Sequence, residues 1–121
     1  MKLLSFFLLL APALAEVICE TSDASPTTED VTGVINQFNG DKTSTCAQGN
    51  NYGSKCTTCG THGSAKIAVC GVNEPDGRGM HKGAMAGYAN AIQQECLSNG
   101  KAGGKFIIPN VADARIEVSH S

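Results

Sequence analysis

The sequence predicts an α+β fold: a split β-α-β arrangement (β-α-β-β-α-β) forming a two-layer sandwich. Its antiparallel sheet carries two helices on one face and is stapled by three disulfides. Three observations predict it. Val31, Val34, Ile35 and Phe38 recur at i, i+3, i+4 and i+7, and a second helical segment ends near Cys96. Ala65 to Cys70 (AKIAVC) and Ala114 to Ser119 (ARIEVS) alternate as half-buried strands do. The cysteines mark two matched spans, with 26 residues between Cys19 and Cys46 and 25 between Cys70 and Cys96. Each span encloses the same order of parts, so two related halves meet at a hairpin.

Taken in order, Glu16 to Ser22 (EVICETS) reads as a short first strand carrying Cys19. The first helix starts with Ser25 as N-cap, Pro26 at the first helical position and Glu29-Asp30 in the first turn, and Asn39-Gly40 closes it. Asp41 to Ser54 is polar, with Asn50 to Gly53 an exposed turn. Lys55 to Thr58 and Ala65 to Cys70 form a hairpin across Gly60-Thr61-His62-Gly63. In the second of these strands Ala65, Ile67 and Val69 face inward. Gly71 to Gly79 is turn-rich and precedes a helix from about Met80 to Leu97, stopped by Asn99-Gly100. Ala84, Tyr88, Ala91, Ile92 and Cys96 form its expected buried side. Gly79, Gly83, Gly87 and Ala91 recur every four residues, and interior glycine costs roughly 0.5–1 kcal/mol relative to alanine. A smooth ridge for close backbone approach would offset that cost, and a loosely ordered helix start is the competing reading. Lys105 to Ile108 is apolar and stops at Pro109. The closing strand then points Ile116 and Val118 inward and Arg115, Glu117 and Ser119 outward.

Residues 1–15 (MKLLSFFLLLAPALA) have the form of a secretory signal, with Lys2, an apolar core and Ala13-Leu14-Ala15 as cleavage site. The apolar run is shorter than the roughly 20 residues a bilayer span needs. Residues 16–121 are then one disulfide-stapled domain, secreted and extracellular, with no stable membrane insertion. Without Lys2 the formal charge moves from −2 to −3, which argues against a nucleic-acid partner and against a cationic membrane-disrupting peptide. Tryptophan is absent and only Phe38, Tyr52, Tyr88 and Phe106 follow the leader. So thin an aromatic core calls for covalent help, and an even cysteine count supplies it. Cys19, Cys46, Cys56, Cys59, Cys70 and Cys96 are all assigned to disulfides, with 15 pairings open.

Candidate chemistry is sparse. Cys56-x-x-Cys59-x-x-His62 offers soft ligands to zinc, with His81 or His120 as a distant fourth. Oxidising secretion closes such thiols into disulfides first, and a hairpin is the wrong context for a thioredoxin-like pair. Cys56 and Cys59 are therefore expected to have different partners, with no metal and no cofactor. His62, His81, His120, Glu117 and Arg115 supply the residue types of a ribonuclease-like hydrolase but no spacing signature, so no catalytic residue is assigned. Tyr52, in the polar loop, is the best surface candidate for a ligand or partner. Arg78, His81 and Lys82, and Lys101 with Lys105, are two small basic clusters suited to an acidic surface or anionic head group. Solvated surface is the plain reading of both.

The leader, CETSDASPTTEDVTGVINQF, GSAKIAVCG, GYANAIQQEC and the terminal RIEVSHS together resemble small cysteine-rich proteins secreted by filamentous fungi. The chain is similar to the killer-toxin-like effectors, an α/β-sandwich family. That resemblance implies action outside the cell, as a toxin against competing fungi or an effector on a host plant, and brings no catalytic residues. No dibasic site occurs, so a single-chain product is expected. The leading expectation is thus a non-enzymatic effector or antifungal protein recognising a host or competitor cell surface. The alternatives are a small secreted hydrolase and a passive apoplastic binding protein.

Overall fold

The computed structural model describes residues 16–50, 52–53, 55–71, 79–108 and 114–121. The expected leader, Arg78 and most of the loop before the second helix lie outside them. The elements are β1 (Glu16–Cys19), α1 (Thr28–Asn39), β2 (Thr45–Cys46), β3 (Cys56–His62), β4 (Ala65–Cys70), β5 (Met80–His81), α2 (Lys82–Cys96), β6 (Gly104–Ile107) and β7 (Arg115–His120). Five strands form one antiparallel sheet in the order β1-β6-β7-β4-β3, and β2 pairs with β5. Helices α1 and α2 cover one face, giving the two-layer α+β sandwich. Among the described residues, β2, β5 and β6 are additions to the six expected elements.

Register explains the core. Ile67 lies opposite Val118 and Val69 opposite Ile116, so the inward positions of β4 and β7 meet on one face. Val31, Val34, Ile35 and Phe38 of α1 and Met85, Ala86, Ala89 and Ile92 of α2 close over them. Tyr88 is half-buried, its ring centroid 4.5 Å from that of Phe106.

Several boundaries differ from expectation for local reasons. Strand β1 ends at Cys19, before the expected Ser22. Helix α1 is capped by Thr27, whose side chain accepts from the Asp30 amide, and not by Ser25. Thr27 stays extended because it bridges to Lys101 in the segment after α2: Thr28 N donates to Gly100 O and Ala102 N to Pro26 O. The β3–β4 turn is Gly63-Ser64, not Gly60 to Gly63, and β3 absorbs a register shift between Thr58 and Gly60. On α2 the buried side is Met85, Ala86, Ala89, Ile92, Gln93 and Cys96, while Ala84 is exposed. The sparse apolar marks on this glycine-rich helix left its rotation open by one residue.

The glycine ridge also divides. Gly79 precedes the helix in a left-handed conformation, where a Cβ would lie 2.5 Å from the Cys46 carbonyl oxygen. At Gly83 a Cβ would meet the Lys42 side chain, and at Gly87 it would meet nothing within 4 Å. Only Gly79 therefore serves close backbone approach.

Candidate functional site

The disulfides pair Cys19 with Cys96, Cys46 with Cys59 and Cys56 with Cys70. Cys19–Cys96 ties the first strand to the end of α2. Cys56 and Cys70 face each other across β3 and β4, and Cys46–Cys59 anchors β2 to β3. Cys56, Cys70 and Glu117 bring ligand atoms within 4.8 Å of one another. Both sulfurs are spent in one disulfide, so no thiolate is available there to hold a metal.

The cross-links frame the loop that carries Tyr52. Gln48, 2% exposed, organises it from beneath. Its Nε2 donates to Asn50 O at 2.8 Å and Gly71 O at 3.0 Å, and its Oε1 accepts from Thr57 Oγ1 at 3.0 Å. Asn50 Oδ1 then accepts from Tyr52 N at 3.0 Å, and Lys55 N donates to Tyr52 O. A buried carboxamide bonded on both ends holds Asn50, Thr57 and Gly71 to one another. Above it Tyr52 is 83% exposed.

The residues of the two expected basic clusters are dispersed, and each described member, His81, Lys82, Lys101 and Lys105, has a local partner. Lys82 Nζ lies 3.9 Å from Asp41 Oδ2 and 5.9 Å from the Phe38 ring centroid. His81 Nδ1 lies 3.2 Å from Thr43 O. Lys101 donates to the Asp23 carbonyl, and Lys105 pairs with Glu20 at 3.4 Å. Lys101 and Lys105 thus brace the loop after β1.

Two of the three histidines share an end of the sheet. His62 and His120 both lie opposite Ala65, from β3 and β7, whereas His81 is on β5. Near them Asp30 Oδ2 accepts from Ser64 Oγ at 2.6 Å and from Ser64 N at 2.7 Å. The Ser64 side-chain bond, then its backbone bond, outweigh burial and hold the Asp30 carboxyl below the usual carboxylate range, helped by Thr27 and the charge of His62. Bonded directly to the hydroxyl and the amide of Ser64, this carboxylate locks the hairpin turn onto α1.

The feature the sequence reading missed is an open groove of about 640 Å³ between α1 and α2. Ile35, Ala86, Gly87 and Leu97 supply its apolar part, and Asn36, Asn39, Asn90, Gln93 and Gln94 bring carboxamides to it. The signal was present as a polar stripe: Thr28, Thr32 and Asn36 recur every four residues along α1, beside the apolar stripe.

Comparison with known proteins gives no match: no family model, curated protein or solved structure is significantly similar to this chain. Among the described residues, no helix is long and apolar enough to cross a membrane.

Proposed function

We propose that the protein is a secreted, non-enzymatic effector or killer-toxin-like antifungal protein that acts by recognising the surface of a host or competitor cell. The observation that carries this reading is the presentation of Tyr52. An aromatic side chain held out on a loop braced by Gln48 and flanked by two disulfides loses little entropy when it docks, the usual economy of a binding hot spot. Its phenol offers both apolar area and a polar tip.

The test is a dose-response of the oxidised protein lacking residues 1–15 on growing fungal cells and on infiltrated leaf tissue. Arrest or host response that disappears on reduction and weakens with Tyr52→Ala supports the reading. Inactivity on both cell types overturns it and leaves a passive binding protein.

A second reading, a small hydrolase, draws on the placement of His62 and His120 opposite one residue. Alanine replacement of His62, His81 and His120 separates the two, since unchanged potency in all three variants removes general acid-base work.

A further inference from the structure

The groove between α1 and α2 has a chemistry unlike the rest of the surface. The chain carries 9 Lys and Arg, 11 Asp and Glu, and 3 His, yet among the described residues no ionisable side chain lines it. Its polar groups are carboxamides and hydroxyls. A carboxamide offers a donor and an acceptor within one plane, and a sugar hydroxyl is likewise both.

Gln93 gives the groove its most defined polar atom. The residue is 7% exposed. Its Nε2 lies 2.9 Å from Thr28 O, 2.6 Å from Thr28 Oγ1 and 2.8 Å from Thr32 Oγ1. Thr28 O can only accept, so the nitrogen must face it, and this fixes the orientation of the amide. Oε1 has no hydrogen-bond donor among the described residues. Among the described residues no sealed side-chain polar atom lacks a partner, so this oxygen reaches solvent, and Gln93 lines the groove. A buried side chain with its donors satisfied and its acceptor free is a preorganised ligand contact.

Around it the walls carry unspent capacity. Among the described residues the side chains of Asn36 and Asn39 have no hydrogen-bond partner, while Gln94 Nε2 reaches Asn90 Oδ1 at 3.5 Å. Gly87 leaves space where any other residue would project a side chain. Apolar groups beside neutral amides match a pyranose ring, which has apolar C–H faces and a rim of hydroxyls. An acidic or basic ligand would be desolvated with no countercharge.

We propose that this groove binds a neutral oligosaccharide, with Gln93 Oε1 accepting from a sugar hydroxyl and Asn36, Asn39 and Asn90 bonding the ring substituents. The inference rests on the reading of the protein as a non-enzymatic binder and adds the class of ligand.

The test is a titration of the oxidised, ¹⁵N-labelled protein lacking residues 1–15 with laminarihexaose, cellohexaose and chitohexaose. Oligogalacturonate serves as the charged control and an uncharged glycine-serine peptide as the polymer control. At least one neutral sugar is expected to shift the side-chain amides of Asn36, Asn90 and Gln93 saturably. Gly87→Leu, which fills the groove from a position with free space, is expected to weaken that binding about tenfold or more with no loss of thermal stability. Asn90→Ala provides a second, smaller truncation in the same wall. Shifts confined to other surfaces, unchanged affinity in both variants, or saturation by the peptide alone or the acidic sugar alone would overturn the proposal. So would silence with all three neutral sugars. Because binding is read on the isolated protein, the two readings fail separately. Sugar binding without any cellular effect removes the toxin and effector reading, and cellular activity without sugar binding removes the groove.

Discussion

Asp30 accepts both the side-chain and the backbone hydrogen bond of Ser64, through a single carboxylate oxygen. One residue in the first turn of α1 thereby fastens the tip of the β3–β4 hairpin to the helix layer. A Cβ at Gly63 would lie 2.5 Å from this carboxylate, so the glycine makes room for the lock while its positive φ forms the turn.

This lock makes stability pH-dependent in a defined direction. Asp30 has a folded pKa below its unfolded value. Its contribution is therefore complete above the unfolded aspartate pKa of about 3.9. It is lost as pH falls through the lower, folded value. Thermal melts from pH 7 down to pH 2 are expected to show a steeper acid limb for the native protein than for Asp30→Asn. The variant is expected to melt lower at pH 7, and the two curves to converge in acid.

The disulfides differ in the length of chain they restrain. Cys19–Cys96 has a sequence separation of 77, against 13 and 14 for the others. On loop entropy alone the long bridge contributes about 4.5 kcal/mol and each short one about 3 kcal/mol. Chemical denaturation of the paired alanine variants is expected to rank Cys19/Cys96 as the most damaging removal.

At Gly33 of α1 an added Cβ would run into the His62 ring. Gly33→Ala is expected to destabilise by about 1–3 kcal/mol through this overpacking. In a His62→Ala background the same change is expected to stabilise by up to about 1 kcal/mol, because only helix propensity remains. A double-mutant cycle on thermal unfolding reads the reversal of sign.

Gln48→Ala strips hydrogen bonds from Asn50, Thr57 and Gly71 at once. A loss of about 2 kcal/mol or more is expected from the stranded backbone carbonyls. Amide exchange of Tyr52 is expected to accelerate beyond what this global loss explains, and measured protection factors decide it.

The fold was legible where spacing carries information. The stripe from Val31 to Phe38 and the alternation of Ile67, Val69, Ile116 and Val118 set which faces meet, and the register follows from them. Strand β6 was harder, because Gly104 to Ile107 is too short to show alternation and becomes a strand by pairing with β1 and β7 at once. The cap of α1 was misplaced for a related reason. Ser25 and Pro26 have good capping chemistry, but the contacts of Thr28 with Gly100 and of Pro26 with Ala102, distant in sequence, leave Thr27 as the extended cap residue. The groove escaped because its residues look like ordinary solvated helix faces. Their meaning depends on how far apart α1 and α2 sit, a tertiary quantity that no single segment encodes. The exposure of Tyr52, by contrast, was legible from composition, as an aromatic in a run of small polar residues.

The link from Cys19 to Cys96 has a consequence for damage. It closes the chain from the first strand to the end of the last helix into one covalent ring. A single proteolytic cut anywhere inside that ring opens it without releasing a piece. The clipped molecule loses no residue, gains one water and two new ends, and still holds β1 to the end of α2. On a gel it runs as one band until reductant is added and as two afterwards.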